Sequence, residues 1–138
     1  MKSFKIVKKW HRKFNFDKEP MDVEKLQFRL DLQEEECDEL TLAIEFENAE
    51  EIVDALIDTI WIALGTLDLI GVDYKKAFKE VARANNSKVR GIKPGREQSG
   101  GFDVIKPEGW KPPNHNDNWG LLPEIFKEDK ERIEDRDE

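Results

Sequence analysis

Five acids near the middle of the chain carry a spacing that could do chemistry. Glu36 and Glu39 stand three residues apart, and Glu51, Asp54 and Asp58 recur at i, i+3 and i+7. On an α-helix such residues share a face. A helical wheel places Glu36 and Glu39 in the sector of Leu32, Leu40 and Ala43, the face expected to pack. Asp54 and Asp58 are flanked by Val53, Ala55, Ile57 and Thr59 in the most apolar stretch of the sequence. An ionised carboxylate taken out of water without a partner costs several kcal/mol. No lysine or arginine occurs between Arg29 and Lys75, so these segments hold no cation to pair with the acids. A bound divalent cation resolves the conflict. Oxygen ligands alone, with no histidine or cysteine among them, favour Mg2+ or Mn2+ over zinc. Such ions bridge substrate phosphates and activate water. The plainer reading is a solvated acidic face, which Glu34, Glu35 and Glu36 alone would satisfy.

Four helices are expected to position these acids. Residues 3–16 form an amphipathic helix with Ser3 as its cap and a stripe of Phe4, Val7, His11 and Phe14. His11 reads as a packed core histidine, and the lysines off the stripe as a solvated face. After a break at Asp17–Pro20, residues 21–46 contain no glycine or proline and form one long helix, with Arg29 and Gln33 set among its leucines. Asn48 separates it from the next helix, residues 50–70, which is apolar on nearly all sides. That breadth predicts a central place in a bundle or at a subunit interface. Gly71 stops it, and Asp73 caps a fourth helix over 74–89 with Ala77, Phe78, Val81 and Ala82 inward. Residues 90–120 hold most of the glycine and proline and read as irregular, with a short hairpin at Phe102–Ile105. The charged stretch from Pro123 onward is either a short helix or a tail.

Composition narrows the function classes. A chain of 138 residues suggests one domain. A formal net charge of −8 argues against nucleic acid as the main partner, and a polyanionic substrate would need cations to meet this protein. Cys37 is the only cysteine, so there is no internal disulfide, and no Cys/His cluster points to structural zinc. No apolar run approaches the ~20 residues of a membrane span. A cytoplasmic protein is the expectation.

The stretch Glu35-Glu36-Cys-Asp-Glu39-Leu40, followed by Glu51-Ile-Val-Asp54-Ala-Leu-Ile-Asp58, resembles the paired ExxE and ExxD motifs of the all-α nucleoside triphosphate pyrophosphohydrolases. That superfamily includes MazG proteins, phosphoribosyl-ATP pyrophosphohydrolases and dimeric dUTPases. The similarity continues through Ala63-Leu-Gly-Thr, Gly71-Val-Asp73, Val81-Ala-Arg-Ala-Asn85-Asn-Ser-Lys88 and Lys106-Pro-Glu-Gly-Trp110-Lys-Pro-Pro113, and covers roughly residues 4–114. The last two blocks are most similar to small stand-alone members, phage-encoded ones among them. The resemblance places an all-α, MazG-like domain at 1–114, which the four helices fit as a bundle; the apolar breadth of residues 50–70 predicts a homodimer, with homotetramers as family precedent, and 115–138 is a charged tail outside the resemblance. The resemblance implies Mg2+, with Mn2+ as the substitute, held by Glu36, Glu39, Glu51 and Asp54. Asp58 would bind a second ion or orient the other ligands. Catalytic roles fall to Glu35, Glu36 and Glu39, Glu35 as a water-positioning residue. Asn85 and Lys88 would contact the nucleotide, and Trp110 would stack on a base or close the core. The implied reaction splits the α–β phosphoanhydride of an NTP, dNTP or related nucleotide, giving a nucleoside monophosphate and pyrophosphate. Phosphoribosyl-ATP is an alternative substrate. A non-catalytic nucleotide sensor, or a structural bundle with an acidic groove for a basic partner, are the rival functions. The loop Gly91–Gly101 has no assigned chemistry.

Overall fold

A computed structural model describes residues 2–137. It is mostly helical: α1 Lys2–Lys13, α2 Val23–Glu45, α3 Ala49–Leu69, α4 Tyr74–Asn86 and α5 Leu122–Asp137. There are thus five helices among the described residues, where four were expected. The extra one is the charged C-terminal stretch, whose Ile125 is buried and holds it in place. The chain forms two compact units, one of Met1–Tyr74 with Trp119–Glu138, the other of Lys75–Asn118. No helix among the described residues is long and apolar enough to cross a membrane.

In the first unit α2 and α3 form an antiparallel pair. Asn48 is the hinge of the connection. Its backbone N–H donates to the Ala43 carbonyl, and its side chain accepts from Glu51 N at 3.2 Å, so it ends one helix and caps the next. Gly71, left-handed at φ 75°, ends α3 as the left-handed Glu47, at φ 53°, ends α2. Farther along the pair, Arg29 Nη2 donates to the Ile62 carbonyl at 2.7 Å, Arg29 Nε to Thr66 Oγ1 at 3.0 Å, and Gln33 Nε2 to the Thr59 carbonyl at 3.3 Å. The polar residues within the apolar side of α2 therefore latch it to α3.

Helix α1 crosses α3 through His11, which is 1% exposed and bonded through Nδ1 to Asp68 Oδ2 at 2.8 Å. The expectation of a packed histidine holds. Gly65 permits this meeting, because a Cβ there would come within 2.8 Å of Arg29 Nη2 and 3.0 Å of His11 Nε2. Two expectations for α1 fail. Ser3 lies inside the helix, which already begins at Lys2, and Phe14 is exposed because the helix ends at Lys13. Phe14 instead stacks on Phe16 beside Trp10.

In the second unit α4 leads into a two-residue strand, β1 Val89–Arg90, which pairs antiparallel with β2 Val104–Ile105. The expected hairpin within Phe102–Ile105 is therefore half of a ladder closed by a distant partner. Phe78 and Val81 are exposed, and Ala84 is the buried residue of α4. The reason is Trp110, whose Nε1 donates to the Ala84 carbonyl at 2.8 Å and packs on that side of the helix.

Helix α5 is tied to the end of α3 by Leu121 N donating to the Ile70 carbonyl at 2.7 Å. Gly120 sits at φ 55°, and a Cβ on it would overlap that same carbonyl. Gly120→Ala is expected to cost about 2 kcal/mol or more, from the left-handed backbone and the clash together. Thermal unfolding followed by circular dichroism checks this. A variant that melts with the wild type would show that α5 does not dock as described.

Candidate active site

The α2–α3 pair brings the acids together. Glu36 is half-buried, and its Oε2 is shielded from solvent with no hydrogen-bond donor in reach. Its carboxyl is held above the ordinary glutamate range, first by loss of solvent and then by the negative charges of Glu39, Asp58, Glu35 and Asp54. Carboxylates from both helices thus crowd one side chain. Glu51 lies apart from that group, on a groove of about 460 Å³ that it shares with Glu39, Leu42, Ala43, Phe46 and Asn48.

The burial pattern differs from expectation. Asp58 is half-buried like Glu36, but Glu39, Glu51 and Asp54 are exposed. The end of the α2–α3 pair nearest the connection has little packed over it, with Phe46 76% and Val53 62% exposed. The wheel placed Glu39 on the packing face, but that face has too little protein against it to bury a side chain.

Whether a cation fits can be tested on these atoms. The donors are carboxylate oxygens, one of them buried and unpartnered, and among the described residues no lysine or arginine lies within ion-pair distance of them. That set suits a hard divalent ion. Among the described residues, no three acids, histidines or cysteines converge closely enough to form a finished metal cage. Glu39, Glu51 and Asp54 are exposed, so a shell that included them would need these side chains to rotate inward. Aspartate and glutamate side chains on a helix surface have that freedom.

The other expected site residues belong to the second unit. Asn85 is exposed near the end of α4, where its carbonyl accepts from Lys88 N at 3.1 Å. Lys88 is half-buried, with Nζ 5.7 Å from the centre of the Trp110 ring. Trp110 is engaged in packing through its bond to Ala84, which favours the core role over stacking on a base. Asp68 went unnoticed in the sequence. The signal was present, since it is an acid within the apolar third helix, but its partner His11 lies 57 positions away.

The chain matches the family model of phosphoribosyl-ATP pyrophosphohydrolase over residues 7–85. It belongs to that family. It is therefore part of the all-α, MazG-like nucleotide pyrophosphohydrolase superfamily, whose members are hydrolases acting on phosphoric anhydrides. The match includes all five acids and ends at Asn85, so Lys88 and Trp110 lie beyond it. No curated protein matches the chain.

The shift at Glu36 sets a pH dependence. A carboxyl that titrates higher in the folded chain than in the unfolded one binds its proton more tightly when folded. Stability therefore falls as pH rises from the ordinary glutamate value through the folded one, and the loss is complete above it. Glu36→Gln removes the ionised form. In a chelating buffer it is expected to melt above the wild type at pH 7, with the gap closing near pH 4. Equal melting temperatures at both pH values would show that the crowding is not felt.

Proposed function

We propose that this protein is a Mg2+-dependent nucleotide pyrophosphohydrolase that cleaves the α–β phosphoanhydride of an NTP, dNTP or related nucleotide. The observation that carries the proposal is the unpartnered Glu36 oxygen among carboxylates from two helices, in a member of a pyrophosphohydrolase family. Glu36, Glu39, Glu51 and Asp54 would hold the ion, and Asp58, half-buried on α3, would orient them or serve a second ion. When bound, the ion offsets the negative charge of the phosphate oxygens and lowers the barrier to attack by water. Glu35, one position from Glu36 and electrostatically coupled to it, would position that water. Asn85 and Lys88 would meet the nucleotide, Lys88 as a point charge against phosphate. Trp110 would act mainly by placing the Lys88 ammonium.

The family description favours one second reading, phosphoribosyl-ATP as substrate. It uses the same bond and the same acids, and a substrate panel separates the two.

The protein is also proposed to act as a homodimer or homotetramer. Leu42, Val53, Leu56, Ile57 and Ile60 are large apolar side chains exposed along α2 and α3. A second copy is the natural cover for such a surface. Light scattering should return a multiple of the 16.2 kDa chain mass. A monomer at micromolar concentration would overturn the assembly.

For the chemistry, the wild type with Mg2+ is expected to release pyrophosphate directly from at least one nucleotide of a panel that includes phosphoribosyl-ATP. Glu39→Gln and Asp54→Asn, both at exposed positions, should each lower the rate about 100-fold or more with helicity unchanged. Normal turnover by both variants would sink the site. Orthophosphate as the direct product would contradict cleavage at the α–β bond.

A further inference from the structure

The loop after α4 holds a second charged pocket, opposite in sign to the acid cluster. Residues 75–118 carry ten lysines and arginines against five acids, whereas the remainder of the chain carries thirteen against twenty-six. Within that unit a pocket of about 640 Å³ is lined by Lys88, Lys93, Arg96 and Lys106, with Asp103 as the only carboxylate on its wall. Asp103 is fully used. It accepts from Lys93 N at 3.1 Å, Val104 N at 2.8 Å and Arg96 Nη2 at 2.6 Å. Glu97, the nearest acid in sequence to Arg96, is turned onto Gly95 N at 3.0 Å. Among the described residues none of the three lysines has a carboxylate within ion-pair distance.

Two of these cations are drawn to one place. Lys106 Nζ lies 4.5 Å and Lys88 Nζ 5.7 Å from the centre of the same Trp110 ring. An indole face attracts one ammonium, but a second beside it adds like-charge repulsion. The backbone around them is built, not loose. Successive bonds from Arg96 N to the Lys93 carbonyl, Ser99 N to Arg96 and Phe102 N to Ser99 fold the loop, and Gly91 N closes it on the Asp103 carbonyl. A folded loop that gathers unpaired cations around a pocket is arranged to receive an anion.

We propose that this pocket is a phosphate site for a small phosphorylated molecule, with Lys88, Lys93 and Lys106 as charge partners that no carboxylate engages and Arg96 as the one held by Asp103. It deepens the pyrophosphohydrolase reading, on which the role of Lys88 against phosphate rests. It also gives the Gly91–Gly101 loop, which lies beyond the family match, a role in binding substrate or the pyrophosphate product. Ile92, Pro94, Val104 and Ile105 supply an apolar wall beside the charges.

The test is calorimetry of inorganic pyrophosphate and of AMP with the full chain, in a chelating buffer at low salt, where the acid cluster contributes no binding. Saturable pyrophosphate binding is expected. It should weaken about 10-fold or more in the double variant Lys93→Gln with Lys106→Gln. It should stay unchanged in Lys111→Gln, which removes a lysine of the same unit outside the pocket, and in Glu36→Gln. Equal binding by the wild type and the double variant would overturn the site, as would an equal loss in Lys111→Gln. AMP bound as tightly as pyrophosphate would assign the site to the nucleotide end of a substrate, and pyrophosphate alone would assign it to the product end. Both outcomes support a phosphate site. Pyrophosphate bound through these lysines by a protein that hydrolyses no nucleotide would keep the pocket and sink the hydrolase. Turnover without such binding would do the reverse.

Discussion

The α2–α3 pair is held together against the repulsion of its own carboxylates. Glu36 on one helix is crowded by Asp54 and Asp58 on the other, and no cation stands between them. Helix packing by itself would relieve such a conflict by turning the acids out or by sliding the helices. Neither happens at Glu36, because the pair is fixed at both sides of it. The Asn48 cap sets the connection at one end, and Arg29 and Gln33 bind α3 carbonyls farther along. Register is thereby set by groups that take no part in the acid cluster. Glu36 therefore keeps a place with little solvent beside like charges.

The distribution of charge along the chain follows from the same logic. A protein that handles a phosphoanhydride must tolerate two incompatible needs. Metal ligands must be anionic, and the substrate they serve is anionic too. If the acids hold a cation and the lysines meet phosphate as proposed, the two needs are met in different units of the chain. The acids gather on α2 and α3, and the unpaired lysines gather around the loop after α4. Mixing them in one helix pair would have formed ion pairs that neutralise both. Trp110 contributes to that separation by holding Lys88 and Lys106 against its ring rather than leaving them free to swing.

Much of this was legible in the sequence because the helices are long and strongly periodic. The Asn48 and Gly71 boundaries, the buried His11 and the shared face of the acids all follow from spacing and cap chemistry. What the sequence did not reveal depends on contacts between distant positions. Phe14 and Phe78 have the apolar character of core residues, yet both stay about half exposed. β2 finds its partner across a thirteen-residue loop, and no local pattern encodes that choice. The exposure of Glu39 has the same origin, since a helical wheel defines a face but not whether another element packs on it. The cationic pocket was missed for a related reason. Its residues are spread through a loop that has no periodicity to read.

Arg29 lies close in sequence to the acid cluster and takes no part in it. It is the last cation before a stretch of the chain that has none until Lys75, so it is the nearest in sequence to Glu36. Were the acids a structural feature, Arg29 would be the natural residue to neutralise them. Instead it directs its donors to the Ile62 carbonyl and the Thr66 hydroxyl, and burial works against its charge. Placing a guanidinium on neutral acceptors while carboxylates on the same helices stay unpaired is unfavourable for stability alone. The arrangement makes physical sense if the acids must remain unpaired for a cation that comes with, or before, the substrate. What Arg29 does in the fold is lock the helix pair, with its donors on the Ile62 carbonyl and the Thr66 hydroxyl and not on the acids.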